Sequence, residues 1–265
     1  MILHYDIQDI VPYINWLYFY HAWSMNGKSE TAKLQLRKDA EEMLHTWEGC
    51  YHTHAVFGLF DANSDGDDLI LGDKRLPMLR QQKPKKPGYP NLCLADFVRP
   101  VGKGKDKVGV FATSVDAELQ KAYLHDDYQR MLSQVLADRL AEGTAEKMHE
   151  EVRRNYWGYA PNERLTMEQT HNEQYQGIRP AVGYPSLPDT SINFILNELI
   201  DMKGIGIRLT ESGMMTPHAS VSGLMLAHPG SCYFELGRIG TDQINDYARR
   251  RGLPVELIRR FLKGV

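Results

Sequence analysis

The chain has 265 residues, with 31 Lys or Arg against 34 Asp or Glu and 42% hydrophobic residues, which is enough to bury a substantial core. A formal net charge of -3 gives no electrostatic case for nucleic acid as the main partner. No apolar run reaches the ~20 residues that span a bilayer, and MILHYDIQDI lacks the basic-then-apolar pattern of a signal peptide. Cys50, Cys93 and Cys232 are widely spaced with no CxxC, so they read as reduced thiols of a cytoplasmic protein.

The first segment, residues 8–24, is apolar and aromatic, and its spacing predicts a helix starting near Pro12. Asn15 stands among those aromatics either as a hydrogen-bonded core residue or as part of a cleft. Ser29 caps a second predicted helix, 30–48, with an amphipathic pattern. Cys50, His52 and His54 alternate as metal ligands can on a strand, but no fourth ligand is in view, and a partly exposed strand edge is the better reading. Strands are expected at 55–60 and 69–71. The DANSDGDD between them has the opening of a calcium loop without its closing Glu, so a hairpin turn is preferred.

The stretch from Arg80 to Tyr89 is a Pro/Lys-rich surface loop; with Lys103, Lys105 and Lys107 it has the makings of a positive patch, but ordinary solvation of loop lysines is the preferred reading. A strand at 108–113 precedes the longest helical pattern, 116–156. There Leu132, Val135, Leu136 and Leu140 mark a buried stripe, Gly143 permits a kink or a close approach, and Glu142 and Glu146 lie alongside. A short helix, 167–175, carries Glu173. Further expected elements are a helix INFILNELIDM capped at Thr190 or Ser191, strands at 205–210, 220–227 and 232–239, and two closing helices, TDQINDYARRRG and PVELIRRFLKG. On a strand at 232–239, alternation lets only one of Tyr233 and Phe234 offer its side chain to a cleft, and Tyr233 is the better candidate. No GxGxxG follows a strand, which argues against a Rossmann-type nucleotide site. The class is α+β, with a mainly antiparallel sheet and helices around it.

The most informative stretch is Tyr175–Thr190, YQGIRPAVGYPSLPDT. Three prolines stiffen it and two glycines allow close backbone approach. Arg179, Gly183 and Tyr184 form Arg-x-x-x-Gly-Tyr, a guanidinium, an open backbone and a phenol suited to a carboxylate. An ordinary structural loop with an ion-paired Arg fits the same residues.

Eight segments follow one another in an order that resembles a known family: CLADFV (93–98), HDDY (125–128), LADRLAE (136–142), YWGYAPNE (156–163), YQGIRPAVGYPSLPDT (175–190), LTES (209–212), ASVSG (219–223) and DYARRRG (246–252). Together they are similar to the C-terminal reactivation domain of cobalamin-dependent methionine synthase, from about Trp16 to about Leu262. The resemblance implies a single large domain over 1–265 with a twisted antiparallel sheet, binding S-adenosylmethionine in a shallow groove. It also implies reductive methylation of cob(II)alamin to methylcobalamin, with cobalamin held by a partner domain or chain and a flavodoxin-like electron donor.

Residue by residue, the resemblance assigns Arg179 to the methionyl carboxylate, with Gly183 and Tyr184 completing that motif and Tyr233 on a late strand. Phe234 contributes backbone or packing beside Tyr233. Glu142 and Glu173 match acidic residues around the site. Asn15, just before Trp16, stands where the family has an Asp that contacts the ligand's amino group, which implies weaker binding here. These residues hold no D-x-H-x-x-G cobalamin signature and no Cys-rich zinc site, so the full synthase cycle is expected to need other domains. A methyltransferase acting on another acceptor, and a degenerate interaction module, remain as alternative readings. Lys83, Lys85 and Lys86 are a candidate docking patch for an acidic electron donor.

Overall fold

The computed structural model describes residues 1–84 and 86–262, with only the backbone of Gln120. Its centre is a curled antiparallel sheet of six strands. The organising strand is β2 (His52–Asp65). β1 (Ile2–Asp6) and β3 (Asp68–Leu71) follow one another along one of its sides, and β5 (Asp106–Val115) runs along the other. β4 (Lys74–Pro77) extends the sheet beyond β3, and β8 (Ser220–Met225) extends it beyond β5. The expected edge at His52–His54 is therefore interior, since Thr53–Ala55 pair on both sides. His54 bonds to Asp116 at 2.8 Å and to His4 at 2.8 Å, while Cys50 lies before the strand.

The DANSDGDD stretch is a hairpin, but the strand runs through most of it. Asp65 pairs with Asp68 across a two-residue turn in which Gly66 takes φ +60°, the left-handed conformation such turns need. Its carboxylates meet cationic side chains: Asp65 and Asp68 hold Arg75, and Asp61 holds Lys105.

Period-2 alternation sorts the sheet between two cores. Phe57, Phe111, Val221 and Met225 face one side, against α1 (Ile7–Ile10), α3 (Glu30–Trp47) and α4 (Asp127–Glu151). Val56, Val110, Ala112 and Leu224 face the other, against α6 (Ile192–Leu199) and its flanking turns. Each fully buried side chain of this size contributes roughly 1.5–3 kcal/mol. Buried hydroxyls tie α4 to the sheet: Thr113 donates to the Ala141 carbonyl at 2.9 Å, and Thr144, which donates to the Leu140 carbonyl, accepts the Thr53 hydroxyl at 2.7 Å. A third, smaller cluster joins α7 (Thr241–Arg251) and α8 (Val255–Phe261) to Leu79 and Leu236.

Several boundaries differ from the sequence reading, each for a local reason. The first apolar segment breaks into α1, a 3-10 turn at Val11–Tyr13 and α2 (Trp16–Ala22). Asn15 caps α2 by accepting the Leu17 N–H at 3.1 Å. The long helix begins at Asp127, where Asp126 accepts the Gln129 N–H, and the residues before it form turns. α5 (Met167–His171) is a single turn closed by a Thr166–Gln169 capping box. The expected strand at 205–210 shrinks to β6 (Arg208–Leu209), which pairs only with β7 (Met215–Thr216). The predicted strand at 232–239 does not form: among the described residues no ladder partner reaches it, and the chain is irregular there, with Gly237 at φ +71°. Gly143 supplies a close approach, since a Cβ there would stand 3.0 Å from the Ile10 side chain and 3.5 Å from the Tyr13 backbone. Among the described residues no helix is long and apolar enough to cross a membrane.

Candidate functional site

The β8 edge of the sheet builds the site. Residues 178–182 lie against it as a short, interrupted extra strand: Ile178 N–H donates to the Leu226 carbonyl at 2.9 Å, and Val182 N–H donates to Ser222 at 2.8 Å. Gly223 is required there, because an added Cβ would come within 2.2 Å of the Pro180 carbonyl oxygen. Gly177, with φ +89°, turns the chain onto that edge. Along such an edge alternate amides face away from the sheet. Pro180 has no N–H, and the Arg179 N–H points outward, where the Tyr233 hydroxyl accepts it at 2.8 Å.

The Arg179 side chain enters a cavity of about 1520 Å³ between α4, α5, the 175–190 loop, residues 81–92 and residues 232–238. Its guanidinium is 9% exposed and pairs with Glu146 of α4, whereas its Nε has no partner among the described residues. A buried donor left open is costly unless something fills it. Tyr184 projects from a turn in which Gly183 N–H donates to the Leu187 carbonyl at 2.8 Å. Gly183 takes φ +89° with open space around it, so its role is conformational. The Tyr184 hydroxyl donates to Glu142 at 2.7 Å, and burial beside that carboxylate raises its pKa. Glu173, at φ +55°, is exposed at the edge of the cavity, and desolvation by its surroundings lifts its carboxyl above the usual glutamate range.

Seven of the eight residues singled out in the sequence line this cavity: Asn15, Glu142, Glu173, Arg179, Tyr184, Tyr233 and Phe234. Gly183 shapes the loop without lining the wall. The exclusive choice between Tyr233 and Phe234 does not hold. Without strand geometry both side chains border the cavity, Tyr233 at the Arg179 backbone and Phe234 against Phe97 at 6.4 Å between ring centres. Asn15 borders it too, but its one oxygen already serves the α2 cap.

Three contributors went unassigned in the sequence. Glu146 pairs with Arg179; its signal was the i, i+4 spacing from Glu142, which puts both on one helix face. Arg139, three residues before Glu142, also lines the cavity, with its Nε unpartnered among the described residues. The 81–92 loop, expected to be solvated, forms a wall. Gln81 accepts the Leu92 N–H at 2.9 Å and donates to the Glu235 carbonyl at 2.7 Å, while Arg80 is gripped by Asp67 and Asp96. Lys83 lines this wall, Lys86 is exposed nearby, and Lys85 lies outside the described residues.

Chemically the cavity offers a cation set among carboxylates, with phenols at the rim. That pattern suits a zwitterion carrying a carboxylate and a cationic centre. The family described as vitamin B12 dependent methionine synthase, activation domain, matches residues 6–252. A solved structure, described as the MetH reactivation domain bound to AdoHcy, is similar at 40% sequence identity with a TM-score of 0.92. The match covers 99% of this chain and 88% of that one.

Proposed function

We propose, from the premise that this chain belongs to the vitamin B12-dependent methionine synthase activation-domain family, that it binds S-adenosylmethionine in the cavity behind the β8 edge and supports reductive methylation of cob(II)alamin to methylcobalamin. The observation that carries this reading is the half-satisfied Arg179 guanidinium, buried, paired on one side by Glu146 and open at Nε. In the solved relative described as bound to AdoHcy, the ligand named differs from S-adenosylmethionine only by the methyl group that would be transferred.

Arg179 would take the ligand's carboxylate, and Glu142, Glu173 and Asn15 would face its ammonium. Tyr184 and Tyr233 would supply phenols, Phe234 an apolar wall, and Gly183 the turn that aims Tyr184. S-adenosylmethionine brings a methyl group on a sulfonium and cobalamin brings a cobalt nucleophile, so the transfer needs no general acid or base from this chain. What the residues supply is placement and exclusion of water. We read residues 1–265 as one such domain, working in the cytoplasm with a cobalamin-bearing domain or chain and a flavodoxin-like electron donor, and not running the whole synthase cycle alone.

The test has two stages. Calorimetry of the chain with S-adenosylmethionine should give saturable heat, and the absence of heat would sink the reading. Mixing the chain with a cobalamin-bearing partner, a low-potential reductant and methyl-labelled S-adenosylmethionine should then place the label on cobalamin. Label arriving on another acceptor without cobalamin would overturn reactivation as the function.

A further inference from the structure

The segment from Arg164 to Gln174, which carries α5 and, beside the cavity, Glu173, is held to the rest of the chain by few contacts. Its backbone bonds are internal: besides the Thr166–Gln169 capping box, Thr170 N–H donates to the Thr166 carbonyl, Asn172 N–H to Glu168 and Gln174 N–H to Gln169. Thr170 is buried at the cavity wall, but no side chain of α5 enters the hydrophobic clusters of the described residues. Among the described residues a single hydrogen bond leaves the segment, from His171 Nε2 to the Tyr13 carbonyl at 3.1 Å. A carbonyl can only accept, so the ring carries a hydrogen on Nε2.

The two ends of that bond are unequal. Tyr13 is fixed: its backbone lies against α4 where Gly143 has no side chain, its hydroxyl donates to Glu150 at 2.7 Å, and the Lys147 ammonium lies 5.6 Å from its ring centre. α5 is one short turn without such anchorage, and a segment fastened by one bond opens at low free-energy cost. Both ends lead into the cavity. Asn15 follows Tyr13 by two residues, Glu173 follows His171 by two, and all four line the same space.

We propose that His171 is a positioning residue for the acidic wall of the cavity: its bond to Tyr13 holds α5 against the Val11–Tyr13 turn and so sets where Glu173 stands relative to Asn15. The consequence for binding rests on the reading of the groove given above, in which Glu173 faces the ligand's ammonium, whereas the tether exists without any ligand. His171 acts through Glu173 and has no part in the methyl transfer itself.

Two substitutions separate the donor from the ring. His171→Phe keeps a planar ring and removes the N–H, while His171→Gln keeps a donor at similar reach. Amide exchange followed by NMR on the unliganded full chain should show the Thr170, Asn172 and Gln174 amides exchanging about two- to tenfold faster in His171→Phe, the worth of one hydrogen bond. In His171→Gln they should stay within about twofold of the wild type, and residues 178–182 should keep their protection in both variants. Tm should change little in either, because α5 lies outside the hydrophobic clusters. S-adenosylmethionine affinity by calorimetry should fall by a similar factor in His171→Phe and recover in His171→Gln. In a Glu173→Gln background, His171→Phe should cost no further affinity, since the group that it places no longer carries charge. Unchanged exchange in His171→Phe overturns the proposal, and so does a loss of affinity that His171→Gln does not restore, or full additivity with Glu173→Gln. Faster exchange in His171→Phe when the wild type binds no S-adenosylmethionine leaves the tether standing and removes the proposed function instead.

Discussion

Two stretches wall the same groove and are held in opposite ways. Residues 178–182 are fastened to the β8 edge by paired backbone hydrogen bonds, with Gly223 bare so that the Pro180 carbonyl can press close. Among the described residues, 232–238 have no ladder: beyond the packing of Phe234 and Leu236, the hydrogen bonds that hold them are the Gln81 amide on the Glu235 carbonyl, Leu236 N–H on Pro185 at 3.4 Å, and the Tyr233 hydroxyl on Arg179. The guanidinium therefore stands on the rigid wall and the aromatics on the compliant one. Backbone ladders fix position by geometry shared over several residues, whereas isolated bonds fix one atom each and leave the segment free to adjust. A site that must grip one end of a ligand and adapt to the other is well served by this division.

The comparison predicts a graded series of effects. Arg179→Ala should lower S-adenosylmethionine affinity about a hundredfold or more in a calorimetric titration, because a charge-assisted contact is lost and Glu146 is left half-buried without its partner. A loss no larger than that of Tyr233→Phe would erase the distinction between the walls. Gly223→Ala should lift 178–182 off the edge and cost about 1–3 kcal/mol of stability, read as a lower denaturant midpoint, because the new Cβ collides with backbone and no side chain can yield.

Gln81→Ala should cost about 1 kcal/mol and speed amide exchange within 232–238 while leaving 178–182 protected. Faster exchange in both stretches would mean that the two walls move as one. The smallest effect is expected from Asn15→Asp. Asp caps as well as Asn, so the stability should hold within about a few tenths of a kcal/mol. One carboxylate oxygen can serve Leu17 while the other faces the groove, so affinity for the cationic ligand should rise a few-fold. An unchanged affinity would show that this corner of the cavity does not meet the ammonium.

What could be read from sequence follows the same division. The loop that carries Arg179, Gly183 and Tyr184 stood out because glycine and proline announce special backbone; Pro254 and Gly252 marked helix ends for the same reason, and Ser29 because its hydroxyl can accept a first-turn N–H. The α+β class and the central strands were legible from alternation. The 232–239 segment misled, because CYFELGRI has the composition of a strand and only the absence of a neighbouring edge prevents it from being one. The wall role of residues 81–92 was hidden for a related reason. It depends on Gln81 reaching Glu235, a partner 154 positions away that no local pattern encodes. Glu146 was visible as a helix-face carboxylate, but its pairing with Arg179 required knowing that α4 passes beside the β8 edge.

The Arg179–Glu146 pair has a consequence for how the groove behaves before anything enters it. The two charges cancel at close range, so the pair itself adds little to the field of the unliganded cavity, which is left to its other charged residues, Arg139, Glu142 and Glu173 among them. An incoming amino-acid head can exchange partners with the pair, its carboxylate taking the guanidinium while the released glutamate turns to its ammonium. The head's own charges cancel, so this exchange redistributes charge within the site, and the net charge the ligand brings is that of its sulfonium. Docking of the head on these terms should depend little on ionic strength, unlike a bare cationic pocket, where salt competes directly with the carboxylate; the salt dependence of binding should come from the sulfonium and the acidic wall at Glu142 and Glu173.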